Sequence, residues 1–469
     1  MRRQIPFSIA KTLLLFAFAI GLSGSHVSGA IAQEKAEPAF AHDHSDLEPD
    51  PRVVYGVLEN GLRYAVMKNA TPKGAAALRM RIATGSINET ESQRGIAHFL
   101  EHMAFNGSVN VPEGEMVKRL ERFGLAFGAD TNASTGFDQT TYKLNLPSVD
   151  EEVLNEAFFL MRETAQNLTL DKDAIERERG GIASEKSARD SVEFRAVVDR
   201  LGFLTQGSGL VDRLPIGIDE TIATMPRDEF VSYFRGYFRP ENTFVAFIGD
   251  LETDEAVAKI KEYFQDWEPV GEALPHRSVR PTNIPDGAIR AFHSEGLMTS
   301  VALASLRPFE ERRDTSATRR ANVTLALASR IFNRRTERAV RNGTATYLGA
   351  SVGRYRLYET VDGMILSLRT SPQDWESALA QAEQELRRGI QFGFTQQELD
   401  EEMAGVQQAH ETAVERADTR KTYAGSEYNY AKALVDAFAD ERVFTSPQSS
   451  LERINALAET LTVEEVTTA

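Results

Sequence analysis

Residues 53–69 read VVYGVLENGLRYAVMKN. Two runs of alternating apolar residues flank Asn60-Gly61, a dipeptide that takes up the positive φ angles of a tight turn, so the stretch predicts two antiparallel strands. ALRMRIATGS (77–86) continues as a third strand, and TTYKLNLP (140–147) as a further one closed by Pro147. Between and after them the apolar period changes from two to that of a helix. Helices are predicted around 95–106, at GEMVKRLERFG (114–124) with its glycine stop, at DEEVLNEAFFLMRETAQN (150–167) and along the charged run from 171 to about 190. FRPENTFVAFIGD (238–250) reads as a turn and a fully buried strand, and DEAVAKIKEYFQDW (254–267) as the helix that closes the unit.

EPVGEALPHRSVRPTNIPDG (268–287) is rich in Pro and Gly and reads as a linker. Beyond it the order restarts, with strands near 288–306, a helix near 315–341, strands across 345–370 and helices at 373–391 and 396–417. No residue-level repeat is visible, but the repeated order of elements implies two similar domains. The expected class is α+β, each domain a mostly antiparallel or mixed sheet with helices packed on it. The expected boundaries are a first domain at 53–270, a linker at 271–287 and a second domain at 288–469. LTVEEVTTA (461–469) reads as the start of a helix capped by Thr462, so the second domain is expected to be truncated at its end.

Arg2 and Arg3 precede the apolar run TLLLFAFAIGL, which is followed by small residues ending Ala30-Ile31-Ala32. That order is a secretory signal peptide at 1–32, and the run is short for a membrane span. The expectation is an exported, periplasmic protein cut near Ala32. Residues 33–52, with His42 and His44, are polar and aperiodic and read as a flexible leader. The formal charge of −16 argues against nucleic acid or an anionic membrane as a partner. With no cysteine in the chain, lipid attachment after the apolar run and thiolate metal sites are both excluded.

The chain has eight histidines in 469 residues, and GIAHFLEHMAFNG (95–107) holds two of them in five positions. His98 and His102 lie one helical turn apart and share a face; Glu101 sits at its edge. A pair of imidazoles buried on an apolar face is costly without a partner, and a metal ion supplies one. The order HxxEH is the reverse of HExxH, and both are zinc-peptidase signatures in which the glutamate is the general base. A catalytic zinc needs three protein ligands, so the third comes from elsewhere in the chain. The competing reading is a pair of structural core histidines. His276, His293 and His410 read as unremarkable, in the linker, on a strand and in a polar helix. The paired arginines between 311 and 341 read as a solvated helix face. Phosphate-binding loops, GxSxG and GxGxxG are absent. The second half has no HxxEH, so one metal site per chain is expected.

GIAHFLEHMAFNG resembles the active-site helix of the pitrilysin/insulysin family of inverted-motif zinc metallopeptidases, most closely the exported bacterial members. TNASTGFDQTTY (131–142), LPIGIDETI (214–222) and YFRPENTFVAFIGDL (237–251) resemble further family stretches. The similarity is dense before about 270 and diffuse after it. In that family the third ligand is a glutamate on a later helix, with a second glutamate seven residues before it. AIERERGGIASEKS (174–187) carries both, Glu178 and Glu185. The local pattern implies Glu185 as the ligand and Glu178 as a carboxylate that accepts from a ligand histidine; a chain-length count common among members lands on Glu178 instead. Glu176 reads as an exposed carboxylate. The resemblance implies a Zn2+-dependent endopeptidase in which Glu101 takes a proton from a metal-polarised water. It also implies an extended substrate paired along an edge strand with Asn132, Ala133 and Tyr142. The expected substrates are peptides or unfolded polypeptides, and a second pitrilysin-like half or subunit is an expected partner. The alternatives are a non-catalytic peptide-binding or assembly subunit, which would usually lack the intact motif, and a periplasmic zinc carrier.

Overall fold

The computed structural model describes residues 39–423 and 429–469; the signal-peptide reading at 1–32 lies outside them. Strands β1 (Val53–Val57) and β2 (Arg63–Lys68) form the expected hairpin, with Val57 opposite Arg63. Gly61 takes φ 90° at the turn, and the Asn60 amide donates to the Phe264 and Trp267 carbonyls at 2.7 and 3.0 Å. The chain continues through β3 (Ala76–Ile82), α1 (Ile96–Met103), α2 (Glu115–Arg122), β4 (Thr131–Thr135) and β5 (Thr140–Leu146). Helices α3 (Glu151–Gln166), α4 (Lys172–Arg189), α5 (Val192–Leu204), α6 (Asp219–Thr224) and α7 (Arg227–Tyr237) follow, then β6 (Thr243–Gly249) and α8 (Thr253–Phe264).

These strands form one sheet in the order β1-β2-β6-β3-β5-β4. β6 inserts between the hairpin and β3, parallel to β2 with Arg63 opposite Phe244, and antiparallel to β3. All seven residues of β6 are buried because both faces of the sheet are covered, which is why its sequence is a continuous apolar run. On one face Val66, Leu78, Met80 and Phe247 pack with residues of α1, α3, α4, α7 and α8. On the other, Ala65, Met67, Ala77 and Phe244 meet Tyr430, Leu434 and Val435 from the far end of the chain. β4 is left as the edge strand.

After α8 come β7 (Ser300–Pro308), α9 (Ser316–Arg341), β8 (Gly349–Leu357), β9 (Val361–Arg369), α10 (Trp375–Phe392) and α11 (Gln396–Glu415). The order closes with α12 (Tyr430–Ala439), α13 (Pro447–Thr460) and α14 (Val463–Thr468). The second sheet is antiparallel throughout, in the order β7-β9-β8. Thr462 caps α14, accepting from the Glu465 N–H. α12 belongs to the other sheet: its Phe438 ring stacks on Phe244 with centroids 3.7 Å apart.

Three expectations are corrected. The leader is not free over 39–52: Phe40 fills the second face of the first sheet, and Asp50, fully buried, holds Arg52 at 2.7 Å. Residues 288–299, which include His293, form no strand; among the described residues no strand of either sheet pairs with them as a ladder, though Arg290 bonds Asp199. The arginines of 311–341 are not a merely solvated face, since Arg319 pairs with the buried Asp314 and Arg330 and Arg334 with the buried Glu402. The linker has no regular element but is stitched to the first sheet's surroundings, with the Arg277 N–H donating to Asn88 and the Tyr237 hydroxyl to the Pro275 carbonyl.

Candidate metal centre

α1 is a short amphipathic helix whose apolar residues Ile96, Phe99, Leu100 and Met103 are buried in the core. That burial fixes its rotation and turns His98, Glu101 and His102 toward α4 and β4. His98 and Glu101 are buried and His102 is half-buried. The two imidazole rings stand edge to face, with centroids 4.7 Å apart.

α4 begins at Asp171, whose carboxylate caps the Asp173 and Ala174 N–H groups, and it carries Glu178 and Glu185 on the side facing α1. Glu185 Oε2 lies 3.3 Å from His102 Nε2 and 3.6 Å from His98 Nε2. One donor atom from each of His98, His102 and Glu185 lies within 4.8 Å of the others. Glu178 takes a different position: its Oε1 is 2.8 Å from His102 Nδ1. A carboxylate can only accept, so Nδ1 carries the proton and Nε2 keeps its lone pair for an ion. Asn106 ties the arrangement together, donating to Glu178 Oε2 and to the His102 carbonyl, both at 3.1 Å. Arg189, one turn beyond Glu185, pairs with the other oxygen of that carboxylate. Glu176 is exposed and occupied by Arg179.

The electrostatics follow from burial and these contacts. Burial, and then the neighbouring His102 ring, pushes His98 down to about 4, so its imidazole is neutral near pH 7. Burial also pulls on His102, but its hydrogen bond to Glu178 and the surrounding carboxylates outweigh it and raise the ring. Glu178 is lowered by the same bond. Burial raises the Glu101 carboxyl, offset in part by the Thr135 hydroxyl, which donates to Glu101 Oε2 at 2.7 Å.

The donor set fits zinc: two imidazole nitrogens and one carboxylate oxygen, with Glu101 beside them and not among them. His98 Nδ1 is buried and has no hydrogen-bond partner among the described residues. Asn132 and Ala133 lie on β4, the edge strand, with Asn132 exposed. Tyr142 stands opposite Ala133 on β5, buried, its hydroxyl without a partner among the described residues. The sequence reading did not pick out Asn106 or Arg189. It also passed over Glu89, a fully buried carboxylate before α1. The signal for Glu89 was indirect: α1 opens on Gly95, which has no side chain to cap the first turn.

Two family models match the chain: Insulinase (Peptidase family M16) over residues 64–201, which span the metal centre, and Peptidase M16 inactive domain over residues 224–406. The chain is 29% identical over 360 residues to the probable zinc protease PqqL of Escherichia coli K12, covering 76% of this chain and 38% of that one. It is 30% identical over 378 residues to the probable zinc protease PqqL of Haemophilus influenzae, covering 78% and 40%. It therefore spans less than half the length of these two curated relatives. Among solved structures it superposes on the first half of the periplasmic protease PqqL from Escherichia coli with a TM-score of 0.83 and 26% identity, covering 90% of this chain and 89% of that one. Against the whole of that protease the coverage is 90% and 46%. The helix with its two histidines, the paired glutamates behind it and both matched spans lead to one assignment: the chain belongs to the M16 (insulinase/pitrilysin) family of peptidases.

Proposed function

We propose that this chain is the metal-bearing portion of an exported zinc endopeptidase that hydrolyses peptides or unfolded polypeptides. The observation that carries the reading is the convergence of His98 Nε2, His102 Nε2 and a Glu185 oxygen within 4.8 Å, with Glu101 on the same helix. A bound zinc ion supplies Lewis-acid polarisation of a water and of the scissile carbonyl. Glu101, raised by burial and steadied by the Thr135 hydroxyl, takes a proton at Oε and returns it to the departing amine. Glu178 keeps the His102 ring aimed and its Nε2 unprotonated. β4 offers a free sheet edge, along which an extended peptide adds as a further strand past Asn132 and Ala133. Recognition of this kind is mostly main-chain and suits unfolded segments. Export is supported by the amino-terminal sequence and by the periplasmic relative. A second M16 half as partner is supported by the chain's match to the first half of a longer protease.

The test is cleavage of a long unstructured peptide by the zinc-loaded chain, followed by mass spectrometry, beside Glu101→Gln. Expected is cleavage that falls by about 10²–10⁴-fold in the variant while bound zinc is unchanged. Zinc uptake by both proteins with no cleavage by either would favour a binding or assembly subunit over a peptidase active on its own.

A further inference from the structure

Helix α1 has no cap of its own. Gly95 stands at its N-cap with φ 97°, in the left-handed region, and carries no side chain to accept from the first turn. The acceptor comes from upstream. One oxygen of Glu89 accepts from the Gly95 N–H at 2.8 Å, and the other from the Ala97 N–H at 3.0 Å. Glu89 is 0% exposed. Burial pushes its carboxyl up to about 8, against the two N–H bonds and the nearby Arg213 and Arg94, which favour the ionised form. A short neutral cap would satisfy the same donors more cheaply, so a buried acid here has to be explained.

The opposite side of the turn is gripped by backbone. A Cβ on Gly217 would lie 2.6 Å from the Gly95 Cα, and one on Gly95 would lie 2.9 Å from the Gly217 Cα. The Thr221 hydroxyl donates to the Arg94 carbonyl. The first turn of α1 is therefore held from two sides, by Glu89 and by the close approach of Gly217.

The two histidines differ in what aims them. His102 has Glu178 on its Nδ1. The Nδ1 of His98 is buried without a partner among the described residues, so its ring direction is set by the backbone it hangs from. That backbone is the residue after Ala97, which Glu89 holds. We propose that Glu89 is a positioning residue of the metal centre, fixing the first turn of α1 so that His98 presents its Nε2 to the position shared with His102 and Glu185. This rests on the metal reading above.

The experiment uses the full chain and Co2+ as the probe, with two readouts: affinity against a competing chelator, and the visible ligand-field band of the bound ion. Glu89→Gln puts an amide NH2 against one of the two N–H donors; Glu89→Asp keeps the carboxyl group but falls one methylene short. Thr395→Ala, which removes the cap of α11 far from the site, calibrates a simple loss of helix capping. Expected is a Co2+ affinity at least about tenfold weaker in Glu89→Gln, as for other residues that support metal ligands, with a shifted or weakened band. Glu89→Asp should fall between it and the wild type, and Thr395→Ala should lower the melting temperature with affinity and band unchanged. Wild-type affinity and band in both Glu89 variants, with melting lowered as in Thr395→Ala, would overturn the proposal and leave Glu89 an ordinary cap. Should Glu89→Gln fail to fold, Glu89→Asp decides by the same two readouts. A wild-type chain that takes up no Co2+ would instead bring down the metal reading, and this inference with it.

Discussion

Glu178 stands seven residues after the N-cap of α4 and bonds His102 of α1; Glu402 stands seven residues after the N-cap of α11 and bonds Arg330 and Arg334 of α9. In each half the acidic helix faces two basic side chains four positions apart on the helix that follows the first strand of the sub-sheet, though Glu178 bonds only His102 of its pair. The strands correspond as well, β3-β5-β4 against β7-β9-β8. The difference is the base. An imidazole bonded at one nitrogen, as His102 is, keeps a lone pair on the other and leaves room for an ion. Guanidiniums have no lone pair to give and bring their own charge, so Glu402, with Glu401 on Arg334, balances the two arginines. One frame yields an open cluster of metal-compatible donors in the first half and a closed ionic tie in the second, which is the half matched by the inactive-domain model.

The most severe way to break this comparison is to write the second half's chemistry into the first. His102→Arg should abolish zinc binding and peptide cleavage, a loss of about 10³-fold or more, while far-UV circular dichroism stays near wild type. Glu178→Gln leaves both imidazoles but loosens one; zinc affinity should weaken by about 10–100-fold, measured by chelator competition. In the second half, Glu402→Ala removes the buried member of the tie and leaves two arginines that already reach solvent. Unfolding by urea should show a loss of about 1–2 kcal/mol with zinc affinity untouched; a drop in zinc affinity would mean that the two helix pairs are energetically linked.

The smallest effect concerns Glu398, which the hydrogen bond from Arg335 holds down at about 2. A carboxyl depressed in the folded state adds stability above its unfolded value near 4.5, and that stability is lost as pH falls toward about 2. Denaturant midpoints of Glu398→Gln and wild type should therefore differ most near pH 7, draw closer as pH falls below about 4.5 and converge only near pH 2. A difference that persists in acid would assign the effect to packing instead of charge.

What could be read from the sequence was local. The Asn60-Gly61 hairpin depends on two residues' backbone preferences, and the helix of paired histidines on spacing within five positions. Glu178 and Glu185 needed a family pattern, because nothing within their own helix says which of two carboxylates lies near both imidazoles. Partnerships across long separations were not readable. Phe40 lies in polar surroundings that look unstructured, yet it is buried by α12, some 390 positions on. The arginines of α9 look solvated until Glu402, about 70 positions later, is seen beneath them. Residues 288–299 carry strand-like alternation, but alternation marks a face and not the neighbour that a strand must have.

The placement of β6 bears on how the molecule is made. Arg63 on β2 pairs with Phe244, and the other edge of β6 pairs with β3, so the middle of the sheet is supplied last. By the time α4 ends at Arg189, the helices bearing both histidines and both glutamates have been synthesised, and so have β4 and β5 beneath α1, but the strand that joins β3 to the hairpin has not. Until Gly249 arrives, two strand edges stand open side by side, the arrangement most prone to pairing with the wrong neighbour. Closure is non-local and hence slow. Just over half of the 469 residues are made before the first sheet can close.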